Sequence, residues 1–392
     1  MTQLANSPED SVFSFINATA EAVDSGFRWR TYDYENRPQY HFSIFNGVGG
    51  IPIFLSAYYE ATRNPRALEL ARGAVTWSAQ NEPEQDNFQR GVQMGKFGIA
   101  YAALCLSRAS GRDEFPGLIE SLADHVLGEA SGPITDFISG EASNGWLFLQ
   151  LWQKKPEAKY LEGAIRCGRW LEDQLVTDEL GTHCLVDPVQ KSFGAKPYSG
   201  LAHGISGVAH FFSCLYQVTS DAHWKGLAVA LLETLIHHAQ PARGGINWSP
   251  MLGADELSRC QYSHGAPGIG LVFAKAAGLL GKPDYLSMAL QAGEATYQCG
   301  DYRKNPTFCT GLAGGGELLV ELYRITMKEI WLERAREFAG MAWAYHSIID
   351  GQDFWPTDAA DCFSADFTYG ASGIGYFFLR VANPLQFEPP LI

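Results

Sequence analysis

An all-α ring of helical hairpins is the fold this sequence predicts, and three observations predict it. A short glycine turn recurs as Gly47-Val48-Gly49-Gly50, Gly95-Lys96-Phe97-Gly98, Gly204-Ile205-Ser206-Gly207, Gly265-Ala266-Pro267-Gly268, Gly311-Leu312-Ala313-Gly314 and Gly370-Ala371-Ser372-Gly373, with Gly140-Glu141-Ala142-Ser143 as a degraded copy. The starts lie 48, 45, 64, 61, 46 and 59 residues apart, which is room for two helices and their loops per unit. No stretch requires a sheet core, and apolar segments of helical period follow the turns. A ring of such hairpins sets one layer of helices inside another and gathers the turns at one mouth.

Each unit can be read in order. Asn6-Ser7-Pro8-Glu9-Asp10 starts a first helix carrying Val12, Phe13, Phe15 and Ile16, with Ser7 a natural cap ahead of proline. Residues 28–42 are aromatic and turn-rich and read as a loop. Segments 51–59 and 67–79 form the first pair, separated by Arg63-Asn64-Pro65, and an acidic connection follows at 81–86. The second unit pairs 97–106 with 115–126, and the third pairs a helix over 146–151 with one over 154–176. Between 177 and 202 the period is lost and Gly, Pro, Ser and Thr rise, so a long loop approaches His203. Helices follow at 208–212 and 228–238, then a break at 241–250, a helix at 271–279, one carrying Leu318, Leu319, Val320 and Leu322, one at 328–343, and a last one at 374–381. The long loops leave room for short hairpins.

Composition bounds the function. The 392 residues are 46% hydrophobic and 13% aromatic, enough for a large core and an aromatic-lined cavity, and the repeats favour one domain over 1–392. A net charge of -14 repels a phosphate backbone, so no nucleic-acid partner is expected, while a basic peptide would be tolerated. Eight cysteines are scattered without a CxxC pair. With no charged-then-apolar leader and no apolar run of about 18 residues, the chain reads as cytoplasmic, reducing-compartment and without a membrane span.

The polar residues nearest the turns are Asp136, His203, Arg259, His264 and Cys309. A histidine beside a carboxylate exchanges protons near neutral pH, and an arginine stabilises a developing enolate. That set suits proton transfer at a carbon next to a carbonyl, although a histidine before a turn also serves as a hydrogen-bonded structural residue. Cys309 reads equally as a small buried hydrophobe or, at a basin, as a metal ligand or a thiolate. Asp358, Asp361 and Asp366 admit a paired-carboxylate glycosidase reading or, more simply, capping and solvation.

The glycine turns, Leu201 through Gly207, Arg259 through Gly268, Phe308 through Gly314 and the approach from Asp136 to Gly140 together resemble the lanthionine synthetase C-like family over nearly the whole chain. The resemblance implies an α/α toroid of about seven inner and seven outer helices. It also implies a cyclase of lanthipeptide biosynthesis, which adds a peptide cysteine thiol to dehydroalanine or dehydrobutyrine. The family's usual zinc ligands are a Cys in the central motif and an adjacent Cys-His pair before the sixth turn. Here those positions are Ser263, Cys309 and Thr310, so no zinc and no other cofactor is expected. Asp136 and His203 match the family's acid/base pair, Arg259 its central arginine, and His264 the residue that protonates the enolate.

The resemblance therefore points to a metal-independent cyclase or related modifying enzyme of peptide natural-product biosynthesis. Its partners would be a modified precursor peptide or small electrophile, and a dehydratase or kinase-like enzyme, since family domains fused to kinase-like dehydratases also lack the zinc ligands. Two other readings stay open: a non-catalytic member that binds a peptide or docks with a partner, and an α/α-barrel enzyme acting on a carbohydrate or isoprenoid.

Overall fold

A computed structural model describes residues 7–33, 35–81, 91–187, 196–299 and 304–392. The chain begins with α1 (Pro8–Ala18), whose first turn is capped by the Ser7 hydroxyl accepting from the Asp10 amide. Hairpin pairs follow: α2 (Ile51–Thr62) with α3 (Pro65–Gln80), then the one-turn α4 (Gly91–Met94) leading to α5 (Phe97–Ser110) with α6 (Pro116–Gly128). Next come α7 (Glu141–Lys154) with α8 (Ala158–Asp173), α9 (Ile205–Thr219) with α10 (Ala222–His237), α11 (Ala266–Leu279) with α12 (Asp284–Gln298), and α13 (Leu312–Thr326) with α14 (Glu329–Ala344). The final α15 (Ala371–Ala382) packs against α1 and against α2. The N-terminal helix is thus the outer partner of the C-terminal inner helix, and the two chain ends close the seventh hairpin of an α/α toroid.

Local sequence sets each hairpin. The inner helices α2, α9 and α13 stop at Arg63, Ser220 and Met327, all in the left-handed conformation, with Gly111 doing the same after α5. That reversal lets the outer helix fold straight back, and Asn64 and Asp221 then cap α3 and α10 through their side chains. Inner helices are apolar nearly all round, as α11 shows from Ala266 to Ala274, because they pack on both neighbours and on an outer helix.

The loop regions hold five two-stranded antiparallel hairpins among the described residues, where the sequence reading left mostly loop. They are β1 (Glu21–Val23) with β2 (Gly26–Arg28), β3 (Thr31–Tyr32) with β4 (Pro38–Gln39), β5 (Val176–Asp178) with β6 (Gly181–His183), β7 (Gln240–Ala242) with β8 (Gly245–Asn247), and β9 (Ser347–Ile349) with β10 (Gln352–Phe354). Arg243-Gly244 and Asp350-Gly351 all have positive φ, the backbone of tight hairpin turns whose twist matches the strands. Strands β2, β6, β8 and β10 pack on α3, α10, α12 and α1, so four of the five hairpins leave one outer helix and brace the next. The Trp29 and Trp248 indoles return, donating to the carbonyls of Ile16 and Leu235 on the helix just left.

Helix α12 goes beyond the sequence reading, which passed over 284–298. The third outer helix is α8, shorter than the 154–176 expected: α7 runs on to Lys154, and β5 begins at Val176. The acidic connection at 82–86 lies outside the described residues.

The glycine turns make the mouth. At Gly268 and Gly314 a Cβ would stand 1.9 and 1.8 Å from the carbonyl oxygens of Tyr262 and Phe308, so only glycine lets each helix start so close to the strand-like segment before it. Those segments hydrogen-bond around the ring. Phe45 N–H donates to Gln93 O (2.9 Å), Gln93 to Ile138 (3.0 Å), Phe137 to Ala202 (3.1 Å), Ala202 to Ser263 (3.2 Å), Ser263 to Cys309 (3.3 Å) and Cys309 to Thr368 (3.0 Å). Neighbouring turns are stitched edge to edge, which satisfies buried amides and fixes the residues just before each glycine relative to one another.

Candidate active site

The residues that the sequence reading selected around the central turns meet in one basin. A cavity of about 550 Å³ opens at the mouth, lined by His203, Arg259, Ser263, His264, Cys309 and Thr310 along with Lys196, Tyr198 and Tyr369. Its floor is a small apolar cluster of Phe45, Ile138, Ala202 and Cys309. Asp136 sits behind it, 1% exposed.

Asp136 interrupts the ring of amide bonds to good effect. One carboxylate oxygen accepts from the Ile138 amide (3.0 Å) and the Ser139 amide (2.7 Å), which is why Phe137 rather than Ile138 reaches across to Ala202. The other oxygen lies 2.5 Å from His203 Nδ1. A carboxylate so fixed holds the proton on Nδ1 and leaves Nε2 as the basic nitrogen. The His203 side chain is 24% exposed, so the pair is a buried acid orienting an accessible imidazole.

Arg259 lies on the rim and is exposed. Its position is set from behind: Asn247 Nδ2 donates to the Arg259 carbonyl (2.9 Å) while Asn247 Oδ1 accepts from the Ala266 amide (2.7 Å) at the start of α11. One buried amide thereby staples the arginine strand to the helix terminus. Among the described residues no carboxylate lies within ion-pair distance of its guanidinium, so its charge is available to the basin.

His264 differs from the sequence expectation in one respect. Burial, then the charges of His203 and Arg259, push its pKa down to about 3, and its ring lies 5.9 Å from that of His203. At neutral pH it is uncharged, so it holds no spare proton. Its Nδ1 is buried against the Gly200 backbone without a hydrogen-bond partner, which favours the tautomer carrying hydrogen on Nε2 as a donor.

The zinc positions of the resemblance also converge, but their chemistry does not fit zinc. Ser263 Oγ donates to the Cys309 carbonyl (3.3 Å), and Thr310 Oγ1 accepts from Asn305 Nδ2 (3.3 Å) and bonds Thr307 Oγ1 (3.3 Å). Burial raises the Cys309 thiol above its ordinary pKa. Two neutral hydroxyls and a single cysteine are a poor donor set, and among the described residues no group of three or more His, Cys, Asp or Glu is placed to hold a metal.

Asp366 is no partner in a basin dyad. It is 1% exposed, accepts from the Tyr369 and Gly370 amides and pairs with Ser364, so capping is its role. Asp358 joins it along a second cavity, and Asp361 is exposed. Residues that the sequence reading missed are Lys196, Tyr198, Tyr369 and Asn46. Tyr369 and Asn46 had a signal: each immediately precedes its turn glycine, the position that His203 and His264 occupy in theirs.

No described helix is long and apolar enough to cross a membrane. A profile of the family described as lanthionine synthetase C-like protein matches residues 38–391. The LanC-like protein GCL1 of Arabidopsis thaliana is 28% identical over 317 residues, 76% of this chain and 69% of that protein. Glutathione S-transferase LANCL1 of Danio rerio is 26% identical over 196 residues, 50% of this chain and only 47% of that protein's length. Nisin cyclase superposes with a TM-score of 0.67 at 16% identity, covering 96% of this chain and 93% of its own. A Salegentibacter α-1,6-mannanase does so with a TM-score of 0.56 at 12% identity, covering 96% and 98%. At such identities the two superpositions speak for the fold alone.

Proposed function

Because the chain belongs to the lanthionine synthetase C-like family, we propose that it is a metal-independent enzyme that adds a cysteine thiol to a dehydroalanine or dehydrobutyrine residue of a modified precursor peptide. The observation that carries this reading is the 2.5 Å contact between Asp136 and His203 in a basin shared with Arg259. His203 Nε2 takes the thiol proton as sulfur bonds to the β-carbon. The alkene electrons move onto the carbonyl oxygen, where Arg259 and the His264 N–H hold the enolate. The His203 imidazolium then returns its proton to the α-carbon. Thiol and alkene become a thioether with no change in mass and no co-reactant.

Without zinc an ordinary thiol near pKa 8.5 is mostly protonated at neutral pH, so a general base is the element this chemistry needs most. The test is thiol consumption: a peptide carrying one cysteine and one dehydroalanine is incubated with the protein and chelator, then alkylated and weighed. Wild type should leave a product that takes no alkyl group, and His203→Ala should leave the thiol free at unchanged thermal stability. Turnover undiminished in His203→Ala would sink the assignment. The name of the zebrafish relative makes glutathione an alternative thiol donor, distinguished by a glutathione adduct in place of ring closure. Tight peptide binding with no thiol loss under any condition would instead mark a binding member of the family, the reading that the replaced ligand positions Ser263 and Thr310 favour.

A further inference from the structure

A second cavity, of about 220 Å³, lies between the first and seventh turns, lined by Tyr32, Asp33, Asn46, Asp358, Asp366 and Tyr369 among others. It shares the Tyr369 wall with the main basin. The two differ in charge. The basin presents Lys196 and Arg259 beside Glu256, whereas among the described residues no Lys, Arg or His lines the smaller cavity.

Its carboxylates are not equivalent. Asp33 is neutralised by Arg37 at 2.7 Å, and Asp366 is engaged by its own turn. Asp358 is exposed and makes no ion pair among the described residues. Independently, Asn46 is only 6% exposed, and its Oδ1 accepts from Ser43 Oγ (3.2 Å), yet its Nδ2 donates to no acceptor among the described residues. A side-chain amide held this firmly, with donors directed to a cavity, suits a carbonyl oxygen; a carboxylate beside it suits a cation. One lysine or arginine residue of a peptide supplies both, a backbone carbonyl and a positive side-chain end.

We propose that this cavity is a subsite for a lysine or arginine of the same peptide whose dehydro residue lies in the basin, the chain crossing Tyr369 between them. This rests on the substrate's being a peptide, as in the proposed function, but not on its chemistry. The test is binding by fluorescence anisotropy, using the full chain and labelled unreactive peptides with serine for cysteine and alanine for the dehydro residue. Lysine is scanned along the peptide and compared with norleucine at each position. One register should bind roughly five-fold tighter with lysine, Asp358→Asn should erase that preference at unchanged melting temperature, and Asp358→Lys should transfer it to a glutamate peptide. Equal affinity for lysine and norleucine peptides, no binding of either, or a preference that survives in Asp358→Asn would overturn the subsite. A lysine preference without any thiol consumption by wild type would leave the subsite standing and remove the cyclase reading; thiol consumption without the preference would do the reverse.

Discussion

The third and seventh turns carry the same aspartate to different ends. Asp136 and Asp366 each stand four residues before their turn glycine, each is 1% exposed, and each caps two amides of its own turn with one oxygen. The second oxygen separates them. In Asp136 it faces His203 across the unit boundary, and in Asp366 it turns back on Ser364 within its own segment. The second oxygen of a capping carboxylate meets an imidazole where the neighbouring turn supplies a histidine before its glycine, and in the seventh turn it meets only its own segment.

The same conservative change should therefore have unequal consequences. Asparagine keeps an oxygen for the turn amides at either site, so Asp136→Asn and Asp366→Asn should both fold. Only Asp136→Asn presents an amide N–H to His203 Nδ1, forcing the wrong tautomer, and turnover should fall about 10³- to 10⁴-fold. Asp366→Asn should stay within about two-fold of wild type. Equal losses in the two variants would show that the aspartates are both merely structural. A smaller drop, about 10²-fold, is expected for Arg259→Ala in the same thiol-loss assay, with the melting temperature barely moved because the guanidinium is exposed.

The placement of these residues was partly legible in the chain. The glycine spacing located the units and the mouth, and with them Asp136 and His203, which lie 67 residues apart. What the sequence hid depends on three-dimensional neighbours. His264 has the same place before its glycine as His203, yet burial rather than type decides that it is neutral. Asp366 has the position of Asp136, but Ser364 rather than a histidine meets it. The hairpins were obscured because their strands are only two or three residues long, although Asp350-Gly351 is a turn signal, and α12 because its buried face is mostly small residues from Ala289 to Thr296. Closure of the ring by α1 was unreadable locally, since it pairs the two ends of the chain.

A milder loss should follow from Asn247→Ala. It removes both hydrogen bonds that staple Arg259 to α11, and a turnover decrease of about ten-fold with about 1–3 kcal/mol of stability is expected. If Asn247→Ala lowered stability but left turnover intact, the arginine strand would be held by other contacts.

The smallest effect is the pH dependence that Asp366 contributes to stability. Burial pushes Asp366 up to about 6, above the ordinary value of about 4. Its folded form binds a proton more tightly, so its contribution to stability is complete below about pH 4 and is lost as pH rises through about 6. His210 and His264, both lowered to about 3 by burial, act oppositely: their contribution is complete above about pH 6.5 and is lost as pH falls toward 3. The melting temperature of Asp366→Asn relative to wild type should be more favourable at pH 7 than at pH 4. An identical difference at both values would mean that Asp366 ionises as freely in the folded chain as in the unfolded one.

Asp136 and His203 should act as one proton-transfer unit, and a double-mutant cycle on thiol consumption decides whether they do. Rates would be measured with chelator for wild type, Asp136→Asn, His203→Ala and the double variant. If the pair acts as a unit, the double variant is no slower than His203→Ala alone. Losses that multiply, or a His203→Ala rate equal to wild type, would contradict it.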